Sequence, residues 1–101
     1  MARTDFIALA HALVHENRLK IVESLLKKPQ HISALANTVG IDRATLCYHL
    51  NLLEKVRLVD SEYIILEQPH SKGKAGRIYK VNNERLQEAI KAITAEMSTL
   101  A

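Results

Sequence analysis

Four residues, Val39-Gly40-Ile41-Asp42, constrain this chain more tightly than any other stretch. Before them lies a short segment opened by Ser33, whose apolar positions are Leu35, Ala36 and Val39, and Gly40 stands where a helix commonly ends in a left-handed residue. After them a longer segment runs to Lys55, capped by Asp42, with Thr45 three residues on where a full capping box has Glu. A turn this short cannot separate two helices. They must cross steeply and share Leu35, Ile41, Leu46 and Leu50 as one core, which is the sequence form of a helix-turn-helix. With each residue turning by about 100°, Leu46, Leu50 and Leu53 make one buried stripe on the second helix. Ala44, Tyr48, Asn51 and Lys55 then point outward, with Arg43 and Cys47 on a flank.

The rest of the chain supplies a frame for this pair. Phe6, Leu9, Ala10, Leu13 and Val14 recur at helical spacing behind a Thr4 N-cap, predicting a first helix over about residues 5–14. Ile21, Val22, Leu25 and Leu26 predict a second, running to about residue 28, with Lys27 and Lys28 at the negative end of its dipole. His31-Ile32 is long enough only for a bridging strand residue or two. From Leu58 to Glu67 the run LVDSEYIILE turns β-branched and aromatic, and after the turn-rich QPHSKGKAG comes RIYKVN, so the two form an antiparallel hairpin with a long loop. Asn82 or Asn83 caps a final helix over about 84–99, with Leu86, Ile90, Ile93, Met97 and Leu100 on one face. The expected fold is mainly α with a small β-hairpin, in the order α-α-α-α-β-β-α. It is a single winged helix-turn-helix domain spanning residues 1–101.

Composition closes off other classes. A chain of 101 residues, 48% apolar and 25% charged, can fold as one small domain but has little room for both a core and a deep catalytic pocket. No Ser/His/Asp, Cys/His or paired-carboxylate constellation stands out, so no enzyme is expected. With Phe6, Tyr48, Tyr63 and Tyr79 the only aromatics, a sheet that stacks RNA bases is excluded. Cys47 is alone, which rules out an internal disulfide and suits a reducing cytoplasm. No apolar run reaches the roughly 18 residues of a membrane span, and Asp5 and His11 interrupt the one N-terminal run that resembles a signal peptide.

The net charge of +3 is too small to announce a nucleic-acid partner, but its distribution is not even. Residues 42–67 hold three Lys/Arg against five Asp/Glu, whereas residues 68–83 hold Lys72, Lys74, Arg77 and Lys80 and no acid. A glycine-bearing loop with spaced cations suits a phosphate backbone or a minor groove. A reading helix followed at once by a basic hairpin is a winged arrangement that suits double-stranded DNA. On the helix, Arg43 can fork onto guanine, Ala44 allows approach to a thymine methyl, and Tyr48 and Asn51 offer hydrogen bonds. Base-edge approach is therefore assigned to Arg43, Ala44, Cys47, Tyr48 and Asn51, and phosphate contact to Thr45, His49, Lys55, Lys72, Lys74 and Arg77.

Three stretches, LAHALVHENRLKIVESLLK, ISALANTVGIDRATLCYHLNLLEKVRLVDSE and GKAGRIYKVN, together resemble the ArsR-type winged helix-turn-helix transcriptional regulators. Asn17 to Val22 is similar to that family's second-helix opening, and Thr45 to Glu54 to its recognition helix, with Cys47 where Ser is common. The resemblance implies a homodimer in which the first and last helices pack across a two-fold axis and offer two recognition helices to a palindromic operator. The apolar stripes Phe6, Leu9 and Leu13, and Leu86, Ile90, Ile93 and Met97, are the matching interface residues. A chain this short has no room for an activation domain, so a repressor is expected. Metal-sensing members of that family carry paired cysteines on the third helix or His/Asp clusters on the last; SALANTV and ERLQEAIKAITAEMSTL have neither. His11 and His15, at i, i+4, remain as a pair that could face one metal, and Cys47 as a thiol on the reading helix, but no metal or other cofactor is expected. Two alternatives stay open: a winged-helix protein-interaction module, and a nonspecific, chromatin-like DNA binder.

Overall fold

Leu35, Leu46, Leu50 and Leu53 are wholly shielded from water at the centre of the structure, a computed structural model that describes residues 3–66 and 74–101. The turn between the two helices has brought them there. Helix α3 (Ile32–Val39) ends at Gly40, whose φ of 79° is left-handed, and α4 (Arg43–Lys55) starts on the Asp42 cap. Around this pair pack α1 (Arg3–Leu13), α2 (Glu16–Lys27) and α5 (Asn83–Ser98), which add Leu9, Leu13, Ile21, Val22, Leu25, Leu86 and Ala89 to the same core. Burying one such leucine or isoleucine side chain contributes about 1.5–3 kcal/mol.

The sheet holds the wing to this core. Strands β1 (Gln30–His31), β2 (Val59–Leu66) and β3 (Lys74–Val81) form an antiparallel sheet in the order β1-β3-β2. Gln30 pairs with Tyr79 on one side of β3, and the β2 register runs from Val59 opposite Val81 to Leu66 opposite Lys74. Lys74, Ala75 and Gly76, read from sequence as loop, therefore belong to the ladder: each has a partner among Leu66, Ile65 and Ile64 that draws it into pairing.

Helix boundaries follow from caps. His15 and His31 start α2 and α3, their Nδ1 atoms accepting the backbone N–H of Asn17 at 3.1 Å and of Ser33 at 3.2 Å. Thus α3 opens at Ile32 and not at Ser33. Asn82 caps α5 by accepting the Arg85 N–H at 3.1 Å. Thr4, expected to cap the first helix, lies inside α1, and Val14 and Leu26 are exposed. Helix α4 ends with the Arg57 N–H donating to the Glu54 carbonyl and the Leu58 N–H to the Leu53 carbonyl. This is a Schellman arrangement, and Arg57 occupies its left-handed position, φ 64°, where glycine is usual.

The expected interface residues divide. Leu9, Leu13 and Leu86, at 1%, 7% and 5% exposure, are consumed by the chain's own core, because α1 and α5 pack on each other and α1 packs on α2 and α4. Ile90 and Met97 stay exposed, at 43% and 51%, joined by Ile7 on α1 and Leu100 beyond α5, while Phe6 and Ile93 are half-buried. No helix of the described residues is long and apolar enough to cross a membrane.

Candidate nucleic-acid interface

The exposed face of α4 begins at its cap. Asp42 accepts the Thr45 backbone N–H at 3.0 Å and also the Thr45 hydroxyl, and these bonds hold its carboxyl below the ordinary value of 3.8. The helix N-terminus is thereby fixed, and the next residues, Arg43 and Ala44, are exposed. Tyr48, Asn51 and Lys55 continue the exposed face one, two and three turns on. Cys47 is half-buried and packs against the edge of the core, so it flanks that face without standing on it.

Two residues assigned to phosphates have other work. His49 is 5% exposed, on the buried side of α4, and its Nδ1 lies 3.0 Å from Nη1 of Arg18. Burial takes it away from any phosphate. Arg77 is directed inward along the sheet: Nη2 donates to both Glu54 carboxylate oxygens at 3.2 and 2.9 Å, and Nε donates to the Ser61 hydroxyl at 2.9 Å. Ser61 in turn donates to Glu54 Oε2 at 2.9 Å. The guanidinium also lies over the Tyr63 and Tyr79 rings, at 5.7 and 5.2 Å. Arg77 is thus a tether from wing to α4, and it neutralises Glu54, the acid on that helix. Thr45 is limited too, since its hydroxyl proton goes to Asp42.

Of the remaining wing cations, Lys80 is exposed opposite Asp60. Lys74 is placed only as a β3 residue, and Lys72 lies outside the described residues. The His11–His15 pairing is lost because α1 ends at Leu13, and His15 spends its Nδ1 on the α2 cap. Among the described residues no group of three or more His, Cys, Asp or Glu is set to hold a metal.

Glu54 and Arg18 are the residues that sequence reading missed. Arg18 had a signal, since it stands at i, i+3, i+4, i+7 with Ile21, Val22 and Leu25, an arginine in an apolar stripe. Glu54 had none without the hairpin register.

Residues 15–61 match the sequence profile of the bacterial regulatory protein, arsR family. An uncharacterized HTH-type transcriptional regulator of Methanocaldococcus jannaschii is 35% identical over 80 residues, covering 79% of each chain. NolR of Sinorhizobium fredii is similar in structure, with a TM-score of 0.68 at 23% identity over 91% of this chain and 83% of its own. The homodimeric winged helix-turn-helix DNA-binding domain of a Mycobacterium bovis protein, solved in solution, has a TM-score of 0.66 at 19% identity over 97% of this chain and 85% of its own. The two structural likenesses show the winged helix-turn-helix fold.

Proposed function

The chain belongs to the ArsR family of winged helix-turn-helix transcriptional regulators, and we propose that it acts as a cytoplasmic repressor, a homodimer on a palindromic operator. The observation that carries this reading is the α4 face: a capped helix presenting Arg43, Ala44, Tyr48 and Asn51 to solvent, beside a wing tied to the same helix. Arg43, Ala44, Tyr48 and Asn51 approach base edges, with Cys47 at the flank. Lys55, Lys72 and Lys74 meet phosphates. Dimerisation is assigned to α1 and α5, and the resemblance to the homodimeric Mycobacterium bovis domain supports the dimer itself. So do Ile7, Ile90, Met97 and Leu100, large apolar side chains that stay exposed on α1, on α5 and just beyond it. Neither α3 nor α5 carries a Cys or His, the side chains by which metal-sensing members of the family bind metal there.

The test is the salt dependence of binding to a selected duplex. Each lost phosphate contact reduces the slope of log affinity against log salt by about 0.9. Neutralising Lys72 and Lys74 together flattens it accordingly. A protein-interaction module would show no duplex affinity at moderate salt, and a nonspecific binder no preference among sequences.

A further inference from the structure

Arg18 is only 4% exposed, and a guanidinium buried that deeply ordinarily faces a carboxylate. Here, among the described residues, no Asp or Glu pairs with it. Its Nε and Nη2 donate to the carbonyls of Ala12 and His11, the last turn of α1, where the helix dipole is negative. Its remaining contact crosses to α4, through Nη1 to the Nδ1 of His49. An arginine can only donate. His49 must therefore accept at Nδ1 and carry its single proton at Nε2, as a neutral ring.

One guanidinium thus joins the end of α1 to the middle of the reading helix, and the joint holds only while one imidazole is neutral. We propose that Arg18 and His49 are positioning residues that seat α4 against the end of α1, and that protonation of His49 unseats α4 and weakens DNA binding. The proposal rests on the DNA-binding reading above. The groups facing the His49 ring are Arg18 from α2, His15 from the turn between α1 and α2 with ring centroids 4.9 Å apart, and its neighbour Tyr48 at 5.2 Å. No carboxylate is among them to welcome a second proton. Protonation would convert the acceptor to a donor and set two cations 3.0 Å apart. Burial first, then Arg18 and His15, already hold the His49 pKa below 6.5.

The sign of the effect separates this role from a phosphate contact. A histidine beside a phosphate gains a proton on binding, so affinity rises as pH falls. Positioning through a neutral ring predicts the reverse. Duplex affinity, followed by fluorescence anisotropy at fixed ionic strength from pH 8 to 5.5, is expected to fall on acidification, approaching about tenfold per pH unit for each subunit's His49, hence about a hundredfold for the dimer, below the His49 midpoint. Far-UV circular dichroism at each pH confirms that the chain stays folded. His49→Asn, which keeps an acceptor oxygen near the Nδ1 position but cannot titrate, flattens the profile whatever its affinity at pH 8. In the unaltered protein, the NMR titration of the His49 ring moves to lower pH when duplex is bound, by reciprocal linkage. Affinity that is flat or rises on acidification, or a ring pKa that rises on binding, overturns the proposal. A His49→Asn profile identical to the parent does so too. Absence of duplex binding at pH 8 overturns the DNA-binding reading itself, and is told apart by that.

Discussion

Arg77 offers the sharpest test of how the wing is held. The sequence alone suggests a phosphate contact, whereas the structure ties its guanidinium to Glu54 and Ser61. The two roles differ in two measurable ways. As a tether, Arg77 must be energetically coupled to Glu54 without DNA. Only Nη2 reaches the carboxylate, sharing both of its oxygens without the two-nitrogen fork of the strongest pairs, and Arg77 is 37% exposed in its side chain and Glu54 22%, so the value belongs in the exposed-pair range. A coupling of about 1 kcal/mol is expected from a double-mutant cycle of Arg77→Ala and Glu54→Ala, read by urea denaturation of the free protein. Duplex affinity then falls in Arg77→Ala because the wing is no longer fixed against α4, while the slope of log affinity against log salt stays the same. Glu54→Gln lowers affinity for the same reason despite removing a negative charge from α4. A coupling indistinguishable from zero, together with a slope flattened by about 0.9 in Arg77→Ala, would refute the tether and restore the phosphate contact.

Arg57 stands in a left-handed conformation that costs a side-chain-bearing residue about 1–2 kcal/mol, partly offset by glycine's greater unfolded-state freedom. Arg57→Gly should therefore stabilise the chain by roughly 0.5 kcal/mol, seen as a higher urea midpoint at unchanged m-value. Asp42→Ala removes the α4 cap and lowers the urea midpoint at pH 7. Because the folded-state carboxyl lies below 3.8, that difference is fully present above this value and disappears as pH falls through the folded pKa. Ile90→Glu with Met97→Glu places charge on exposed α5 residues that the monomer core does not use, so the folded chain should persist and light scattering should report monomer in place of dimer. Leu50→Ala, at a position with no exposure, should cost about 2–5 kcal/mol in stability.

The fold was largely legible because its punctuation is local. Gly40, Asp42 and Asn82 each end or begin a helix through their own backbone or side chain, and each does so in the structure. The apolar stripe Leu46, Leu50 and Leu53 needs nothing beyond helical spacing. What escaped depends on partners distant in sequence. Nothing near Arg77 announces that it will meet Glu54, 23 residues earlier, and His49 reads as a groove residue until Arg18, 31 residues away, is placed behind it. Histidine caps at His15 and His31 were missed because the usual capping signals are Ser, Thr, Asp and Asn. The stripes on α1 and α5 mix core and surface residues for a related reason. Period alone cannot tell whether Leu9 and Leu86 meet each other's helices within one chain or those of a partner.

Selection of genomic fragments by the purified protein, followed by sequencing of what is retained, tests the central claim most directly. The account predicts an enriched palindrome with half-sites one helical turn apart, about 10–10.5 base pairs, matching two α4 helices related by a two-fold axis. Retention of fragments with no shared sequence, or of none at moderate salt, would contradict it.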